Sequence, residues 1–227
     1  MHLFSAGAEL VISLIGMSGS GKSYWSTKLA EAGFMRYCCD DSISEKLASE
    51  LKRNDGSSMT LGEWMGFPFN PGYEEREESY LSKEKEVLAE VLEAAEKSRC
   101  SGVEKVVVDT TGSVIYTGTV LLAKLRSLTT TVNFTVPLEV RETMLRAYMD
   151  NPRPVLWRGL FQKNAGESME DALLRSYNTL LDTREKLYRE LADVEIDYFR
   201  RSKPGFGLKD FLEIAEKAAQ KCRPSSA

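Results

Sequence analysis

Residues 16–23 read Gly-Met-Ser-Gly-Ser-Gly-Lys-Ser, a run whose types and spacing suit phosphate binding. They match the pattern G-x-x-x-x-G-K-[ST], with Gly16, Gly21, Lys22 and Ser23 at the fixed positions. Glycines let the main chain curl so that several N–H groups point at one polyphosphate. Lys22 adds a positive charge for the β- and γ-phosphates, and the Ser23 hydroxyl can ligate Mg²⁺. The segment therefore predicts a site for a polyphosphate and its metal ion.

The sequence on both sides of this segment supports the prediction. Residues 10–15 form a continuous apolar run, which is typical of a buried parallel strand. Trp25 and Leu29 then recur at a helical spacing, so the segment joins a strand to the positive end of a helix dipole. A glycine-rich turn with a chance lysine is the alternative, and both flanks disfavour it. The chain has no guanine-reading N-K-x-D sequence, so ATP is expected, bound by Gly16, Ser18, Gly19, Ser20, Gly21, Lys22, Ser23 and Thr27.

Three aspartates follow predicted strands and are candidates for catalysis or metal binding. Asp109 ends the third strand, and ligands of parallel α/β sheets bind at the carboxyl ends of strands. It could hold Mg²⁺ through water, or it could cap a turn or helix. Asp40 and Asp41 close the second strand at the same sheet edge. Either could accept the proton of a substrate hydroxyl, and helix capping beside Ser42 is the competing interpretation.

Two arginines lie on predicted helices in places that suggest anion binding. Arg184 falls on the apolar stripe of its helix, where an arginine is costly unless an anion meets it. An internal salt bridge to a neighbouring carboxylate is the alternative. Arg76 shares a helix face with Tyr73 and Tyr80 in very acidic surroundings, so a solvated helix face competes with a substrate site there.

A further arginine occurs in a proline-containing segment. Arg153 lies between two prolines in residues 150–167, which we expect to be a mobile loop with a short helical piece. An arginine held there could close over phosphates during transfer, and an ordinary exposed arginine is the alternative. Arg158 is a second, weaker candidate in the same loop.

Composition restricts the class of protein. The chain has 227 residues, 42% of them hydrophobic, which predicts one domain, 1–227, with a substantial core. The net charge of −4 and the lack of a basic block argue against nucleic acid as a partner, and no apolar run is long enough to span a bilayer. The four cysteines form no C-x-x-C pair, and His2 is the only histidine, so zinc sites, disulfide frameworks and histidine triads are not expected. Without a signal-like N-terminus, a cytoplasmic protein is the expectation.

Alternating apolar runs and helical patterns predict a parallel α/β sheet with helices on both faces. Residues 59–72, rich in glycine, proline and aromatic side chains, predict an irregular lobe, and Ser42-x-x-Glu45 reads as a capping box. We predict strands over about 10–15, 34–39, 106–109, 131–136 and 194–196. We predict helices over about 22–32, 42–51, 73–98, 116–127, 138–149, 168–192 and 207–221.

At this point the chain resembles the shikimate kinase family of small P-loop kinases. The phosphate-binding segment 16–23 is common to many P-loop families, whereas patches in the C-terminal half are more specific. Residues 153–156, Arg-Pro-Val-Leu, resemble the family's Arg-Pro-Leu-Leu lid segment. Residues 184–197 resemble its substrate-binding arginine, the end of that helix and the last strand. The resemblance runs in order over about residues 10–200.

The resemblance implies a P-loop NTPase three-layer fold. Its five-stranded parallel sheet would have the order 2-3-1-4-5, with a substrate lobe at about 40–80 and a lid at about 150–167. It implies that Asp40 contacts the substrate hydroxyls and serves as the base. Arg184 and Arg76 would bind the substrate's negative group, Gly112 would contact the substrate, and Arg153 would close with the lid.

Two departures from the family pattern concern the substrate and the metal ion. The family's triple glycine after the third strand is replaced by Thr110-Thr111-Gly112, whose side chains would crowd a pocket shaped for shikimate. The first aspartate of the family's Asp-x-Asp is replaced by Cys38. We therefore expect Asp109 to take over the metal role.

These residues together predict an ATP- and Mg²⁺-dependent phosphotransferase acting on a hydroxyl of a small, anionic metabolite. A kinase for a nucleoside, a nucleotide or a sugar acid on the same scaffold is one alternative. A regulatory module that binds ATP without transferring phosphate is another. The expected state is a monomer or weak dimer.

Overall fold

The structure is a computed structural model that describes residues 9–222. His2 and the N-terminal residues considered for a targeting signal lie outside this described part. Within residues 9–222, every helix is too short or too polar to cross a membrane.

Five parallel strands form the centre of the fold, in the order β2-β3-β1-β4-β5 that the family resemblance implies. Their bounds are β1 (Leu10–Ile15), β2 (Met35–Cys38), β3 (Lys105–Asp109), β4 (Thr130–Phe134) and β5 (Val194–Ile196). Strands β1 and β3 are mostly apolar because both faces of the sheet are covered, whereas β4 also carries buried Thr and Asn side chains. The carboxyl end of β3, at Asp109, lies beside the ends of β1 and β2, so the residues that follow these strands meet at one sheet edge.

Helices cover both faces of the sheet, which confirms the predicted three-layer architecture. They are α1 (Lys22–Glu31), α2 (Cys39–Lys46), α3 (Leu61–Met65), α4 (Tyr73–Cys100), α5 (Thr119–Leu128), α6 (Leu138–Asp150), α7 (Met169–Leu191), α8 (Tyr198–Arg201) and α9 (Leu208–Cys222), with a 3₁₀ turn at Val114–Tyr116. Alternate residues of β3 enter different cores: Val106 and Val108 pack with side chains of α4 and α7, whereas Val107 packs with side chains of α1 and α9.

The second helix starts earlier than predicted, and the capping box Ser42-x-x-Glu45 is wrong. Helix α2 begins at Cys39, directly after β2, so that Asp40 and Asp41 lie in its first turn. The Ser42 hydroxyl instead donates to the carbonyl of Cys38 at 3.2 Å. Acidic residues in a first turn are favourable because they face the positive end of the helix dipole. Asp40 is therefore held on a helix rather than on a loop.

The segment 150–167 also differs from its prediction. It contains no helical piece after α6 ends at Asp150. Val155, Leu156 and Trp157 at its middle are buried in the core against α4, α6 and α7. The Tyr73 hydroxyl bonds to the Val155 carbonyl at 2.6 Å and accepts from the Trp157 amide at 3.0 Å. The expected mobile loop is thus anchored at its centre.

Candidate functional site

The phosphate-binding segment forms a tight loop between β1 and α1. Gly16, Gly19 and Gly21 have φ values of 132°, 84° and 99°, in the region that favours glycine. A β-carbon added to Gly16 would lie 2.9 Å from the carbonyl oxygen of Phe134, so that position also requires the close approach of two main chains. Gly21 precedes the first residue of α1, so the unpaired N–H groups of that helix begin at the loop.

Lys22 is buried within this loop. Its Nζ donates to the carbonyl oxygens of Gly16 at 2.9 Å and Met17 at 3.2 Å. Burial lowers the pKa of Lys22, while the carboxylates of Asp109 and Asp40 act in the opposite direction. The ammonium group is therefore oriented by the loop it belongs to, with two carboxylates near enough to favour its charged form.

The loop also contains a hydroxyl that lacks a partner. Within the described chain, Ser20 Oγ is buried and makes no hydrogen bond. Buried polar groups are normally paired, so an unpaired donor in a glycine cradle beside a lysine suits an anionic ligand. Ser23, the first-turn hydroxyl expected to ligate Mg²⁺, is exposed, and so is Thr27 one turn further along α1. These residues fit a Mg²⁺-bound nucleotide polyphosphate.

An open cleft of about 540 Å³ lies against the loop. It brings together the predicted residues Lys22, Ser23, Asp40, Gly112 and Arg153. The complete lining is Ser18, Gly19, Gly21, Lys22, Ser23, Tyr24, Asp40, Thr60, Leu61, Gly62, Gly112, Pro152, Arg153 and Pro154. The predicted nucleotide-binding residues Gly16, Ser20 and Thr27 lie outside this lining, and so do the predicted residues Arg76, Asp109 and Arg184.

Asp40 reaches the cleft from the first turn of α2. It is half-buried, and its Oδ1 accepts a hydrogen bond from the Tyr80 hydroxyl at 3.1 Å. Burial raises the pKa of Asp40, while the positive charge of Lys22 and the bond from Tyr80 oppose that rise. A carboxylate whose proton affinity is raised in this way is suited to accepting a proton from a hydroxyl.

Asp109 is buried and already paired. Its Oδ2 accepts from the Ser26 hydroxyl at 2.7 Å and from Arg36 Nη2 at 2.9 Å. Cys38, which pairs with Asp109 in the sheet, has its thiol 4.0 Å from the same oxygen, and burial raises the pKa of that thiol to about 12. Among the described residues there is no cluster of three or more acidic, cysteine or histidine side chains able to hold a metal ion.

Arg184 is fully buried and donates hydrogen bonds to main-chain carbonyls. In the part of the chain that the structure describes, the salt bridge to a carboxylate that the sequence left open as an alternative is not formed. Its Nη1 donates to Gly112 at 2.9 Å, and its Nη2 donates to Leu156 at 2.5 Å. The guanidinium also lies 5.2 Å from the centre of the Tyr116 ring, a cation–π contact. Arg184 thus ties Gly112, three residues beyond the end of β3, to the anchored middle of segment 150–167.

Arg76, like Arg184, donates hydrogen bonds to main-chain carbonyls, here in the substrate lobe. Its Nε donates to the carbonyl of Met65 at 3.1 Å and its Nη2 to that of Pro71 at 3.1 Å. The side chain therefore holds the two ends of the turn that follows α3 against the start of α4.

Arg153 and Arg158, the two candidate arginines of segment 150–167, have different surroundings. Arg153 lines the cleft, with its Nη1 3.2 Å from where a β-carbon on Gly19 would lie. Arg158, by contrast, has a φ of 51°, uncommon for a residue other than glycine. Its amide donates to Glu77 Oε1 at 2.9 Å, and its guanidinium pairs with Glu77 and Glu78. Arg158 is therefore part of the anchor, whereas Arg153 faces the phosphate loop.

The threonines after β3 point away from the cleft. The Thr110 hydroxyl donates to the carbonyl of Leu14 at 2.7 Å, and that of Thr111 donates to Glu84. Gly112 is the member of this run that lines the cleft. The crowding expected from the two threonine side chains is therefore wrong.

Sequence reasoning missed Glu84, a buried carboxyl beneath Gly112. It accepts hydrogen bonds from Thr111 and, at 2.9 and 2.8 Å, from the Ser113 hydroxyl. Burial raises the pKa of Glu84 to about 7. Glu84 lies four residues after Tyr80, on the buried stripe of α4, so the criterion that singled out Arg184 would also have found it.

Arg201, at the end of α8, was missed as well. Its guanidinium donates to the carbonyls of Ile196 at 2.7 Å, Thr135 at 3.0 Å and Ser20 at 3.2 Å. Burial lowers its pKa to about 10. The side chain joins the ends of β4 and β5 to the phosphate loop. A basic residue in a short segment after the last strand gives little sequence signal for such a role.

Comparison with known proteins identifies the fold. No protein-family model matches the chain, and no curated protein matches it in sequence. Among solved structures, the shikimate kinase of Acinetobacter baumannii in complex with shikimate is similar at 24% identity, with a TM-score of 0.57 over 94% of this chain and 92% of that one. The shikimate kinase of Aquifex aeolicus is similar at 18% identity, with a TM-score of 0.56 over 94% and 100% of the two chains.

A third similar structure, the shikimate kinase of Bacteroides thetaiotaomicron, shares 18% identity, with a TM-score of 0.53 over 94% of this chain and 96% of that one. The three alignments extend over nearly whole chains, so the shared part is the complete fold rather than the phosphate loop alone. The chain therefore has the P-loop kinase fold that the motif and the resemblance predict.

Proposed function

We propose that the protein transfers the γ-phosphoryl group of ATP, with Mg²⁺, to a hydroxyl of a small metabolite. The observation that carries this proposal is the single cleft lined by Lys22, Ser23, Asp40 and Arg153. A phosphate cradle, a metal-ligating hydroxyl, a carboxylate base and a second cation beside the phosphates are parts that suit phosphoryl transfer. The shared fold with shikimate kinases supports it.

Each of these residues has a distinct part in the scheme. The loop amides and Lys22 bind the β- and γ-phosphates, and Ser23 ligates the metal ion. Bound Mg²⁺ would neutralise charge on the phosphates. Asp40 orients the acceptor hydroxyl and takes its proton, and Arg153 lies over the phosphate loop to stabilise the transferring group.

We also propose that Asp109 supports the metal ion through water. Its position at the carboxyl end of β3 and its bond to Ser26 on α1 favour this role, although Arg36 shares its carboxylate. Asp109→Asn keeps the shape and the bond from Ser26. We expect it to raise the Mg²⁺ concentration needed for half-maximal turnover, and an unchanged Mg²⁺ dependence would contradict the metal role.

In this scheme, Arg184 and Arg76 hold segments of the main chain in position through hydrogen bonds to carbonyl groups. Arg184 fixes the carbonyl of Gly112, which lines the cleft, and Arg76 fixes the turn after α3. We propose them as positioning residues for the acceptor pocket, and Gly112 as a residue that touches the acceptor.

The test is ADP release in a coupled assay with a panel of small hydroxyl compounds, together with calorimetry of Mg·ATP binding. Lys22→Met should weaken Mg·ATP binding and reduce turnover by about 100-fold or more, and Asp40→Asn should reduce turnover while leaving Mg·ATP binding intact. Lys28→Met, an exposed lysine on the same helix, is the matched control. ATP binding without acceptor-dependent ADP release would show a nucleotide-binding module instead.

A further inference from the structure

The lining of the cleft comes from two groups of residues. The phosphate loop and the start of α1 supply the first group, from Ser18 to Tyr24. The second group, available to the acceptor, is supplied by the starts of α2 and α3, the turn that follows β3 and the segment 152–154. Its members are Asp40, Thr60, Leu61, Gly62, Gly112, Pro152, Arg153 and Pro154.

The cations of the lining lie at the phosphate loop. Among the described residues, Lys22 and Arg153 are the positively charged side chains that line the cleft. Lys22 Nζ is held by the carbonyls of Gly16 and Met17, and Arg153 Nη1 lies against Gly19. Both positions suit the phosphates of the nucleotide, so these two charges are taken up by the proposed phosphoryl transfer.

The two arginines expected to bind an acidic acceptor are committed elsewhere. Arg184 is 1% exposed and donates to the carbonyls of Gly112 and Leu156. Its Nε has no partner in the described chain, but the atom is buried rather than open to the cleft. Arg76 donates to the carbonyls of Met65 and Pro71 in the lobe.

The charge that remains for the acceptor is negative. Asp40 lines the cleft and is held there by a hydrogen bond from the Tyr80 hydroxyl. A carboxylate accepts hydrogen bonds from hydroxyl groups but repels a second carboxylate or a phosphate. The hydroxyl of Thr60 adds a neutral polar group to the same wall.

Building on the proposed phosphotransferase function, we infer that the acceptor is a polyhydroxylated compound without an acidic group. Its hydroxyls would donate to Asp40, whereas a carboxylate or phosphate on it would meet that residue without a cation to compensate. This differs from the anionic acceptor that the sequence predicts. The difference arises because Arg76 and Arg184 face main-chain carbonyls.

The experiment compares acceptors that differ only in the acid. D-Sorbitol is assayed against D-gluconate, and the methyl ester of shikimate against shikimate, by ADP release from Mg·ATP with the full chain. We expect kcat/KM to be at least about tenfold higher for the uncharged member of each pair, because like charges a few ångströms apart at a protein surface disfavour binding by at least that factor. A preference for the acid would overturn the inference and leave the phosphotransferase proposal intact.

A variant of Arg76 tests whether this arginine binds the acidic group of an acceptor or only holds the lobe in place. Arg76→Gln should change the KM values of both members of a pair by the same factor, because Arg76 holds the lobe rather than an acid. A KM increase confined to the acidic member would overturn the inference. If none of the compounds, charged or uncharged, produced ADP while Mg·ATP still bound, the proposed function would fail and the inference with it.

Discussion

Gly112 and Ser18 approach so closely that a β-carbon added to Gly112 would lie 2.7 Å from the main-chain nitrogen of Ser18. The turn that follows β3 is thus packed directly on the phosphate loop at Gly112. Its carbonyl accepts hydrogen bonds from Arg184 and Tyr188, so it cannot retreat without breaking both. This contact joins the acceptor side of the cleft to the nucleotide side.

We predict that Gly112→Ala weakens Mg·ATP binding by about five- to 150-fold. The added methyl group would displace the main chain of the loop, and overpacking of this kind costs about 1–3 kcal/mol. Gly207→Ala is the matched control, because a β-carbon there meets its nearest neighbour at 4.0 Å. Calorimetry of the two variants, with circular dichroism to check folding, makes the comparison. Equal affinity in both variants would contradict the prediction.

Glu84→Gln should remove part of the pH dependence of stability. Burial raises the pKa of Glu84 from 4.5 to about 7, so the folded protein holds a proton that the unfolded chain releases between these values. Stability therefore falls as pH rises through this window and is lowest above it. An amide at this position cannot ionise. We expect the variant to be more stable than the wild type at pH 8, by on the order of 3 kcal/mol.

Urea unfolding at pH 5 and pH 8 measures this difference. Glu93→Gln, an exposed glutamate on the same helix, should keep the wild-type dependence. Parallel pH profiles for the wild type and Glu84→Gln would show that Glu84 does not titrate in this range.

Arg201→Lys should weaken nucleotide binding without touching the cleft. The guanidinium donates to three carbonyls, including that of Ser20 in the phosphate loop, and an ammonium group cannot span all three. Two lost hydrogen bonds correspond to about 1–3 kcal/mol. We expect a higher Kd for Mg·ATP and a lower melting temperature. Arg200→Lys, at the exposed neighbouring position, is the control and should change neither quantity.

Tyr73→Phe should loosen the anchor of segment 150–167. The Tyr73 hydroxyl contacts Glu77, the carbonyl of Val155 and the amide of Trp157. Its removal leaves a buried amide and a buried carboxylate short of a partner, at about 1–3 kcal/mol. We expect faster proteolysis within this segment, read by mass spectrometry of the fragments. Tyr37→Phe loses contacts with Ser98 and Met35, neither of which belongs to the segment, so this control variant should be cleaved there at the wild-type rate.

The strands and the core of the site could be predicted from the sequence because each rests on local pattern, whereas the order of the strands in the sheet came from the resemblance to the shikimate kinase family. Apolar runs give the strands, and the spacing of Gly16, Gly21, Lys22 and Ser23 gives the phosphate loop. Asp40 follows a strand and reaches the cleft as expected.

The partners of buried charges could not be predicted in the same way. Arg36 pairs with Asp109 because β2 and β3 are neighbours in a particular register, and a single sequence carries no register between distant strands. Arg184 bonds to carbonyls, which every residue has, so its partners leave no trace in residue types. Val155-Leu156-Trp157 did carry a signal: three apolar residues in succession suggest burial, and the flanking prolines and glycines obscured it.

The tryptophan side chains lie where their fluorescence can report on separate parts of the structure. Trp157 belongs to segment 150–167 and packs into the core, whereas Trp25 stacks on Phe211 on the opposite face of the sheet, with ring centres 5.1 Å apart. With Trp64 and Trp25 replaced by phenylalanine, the emission of the remaining fluorophore would follow the solvation of that segment alone. If the emission shifts to the red when nucleotide or acceptor is added, the rate of that shift would measure how fast the segment becomes exposed to solvent during a single turnover.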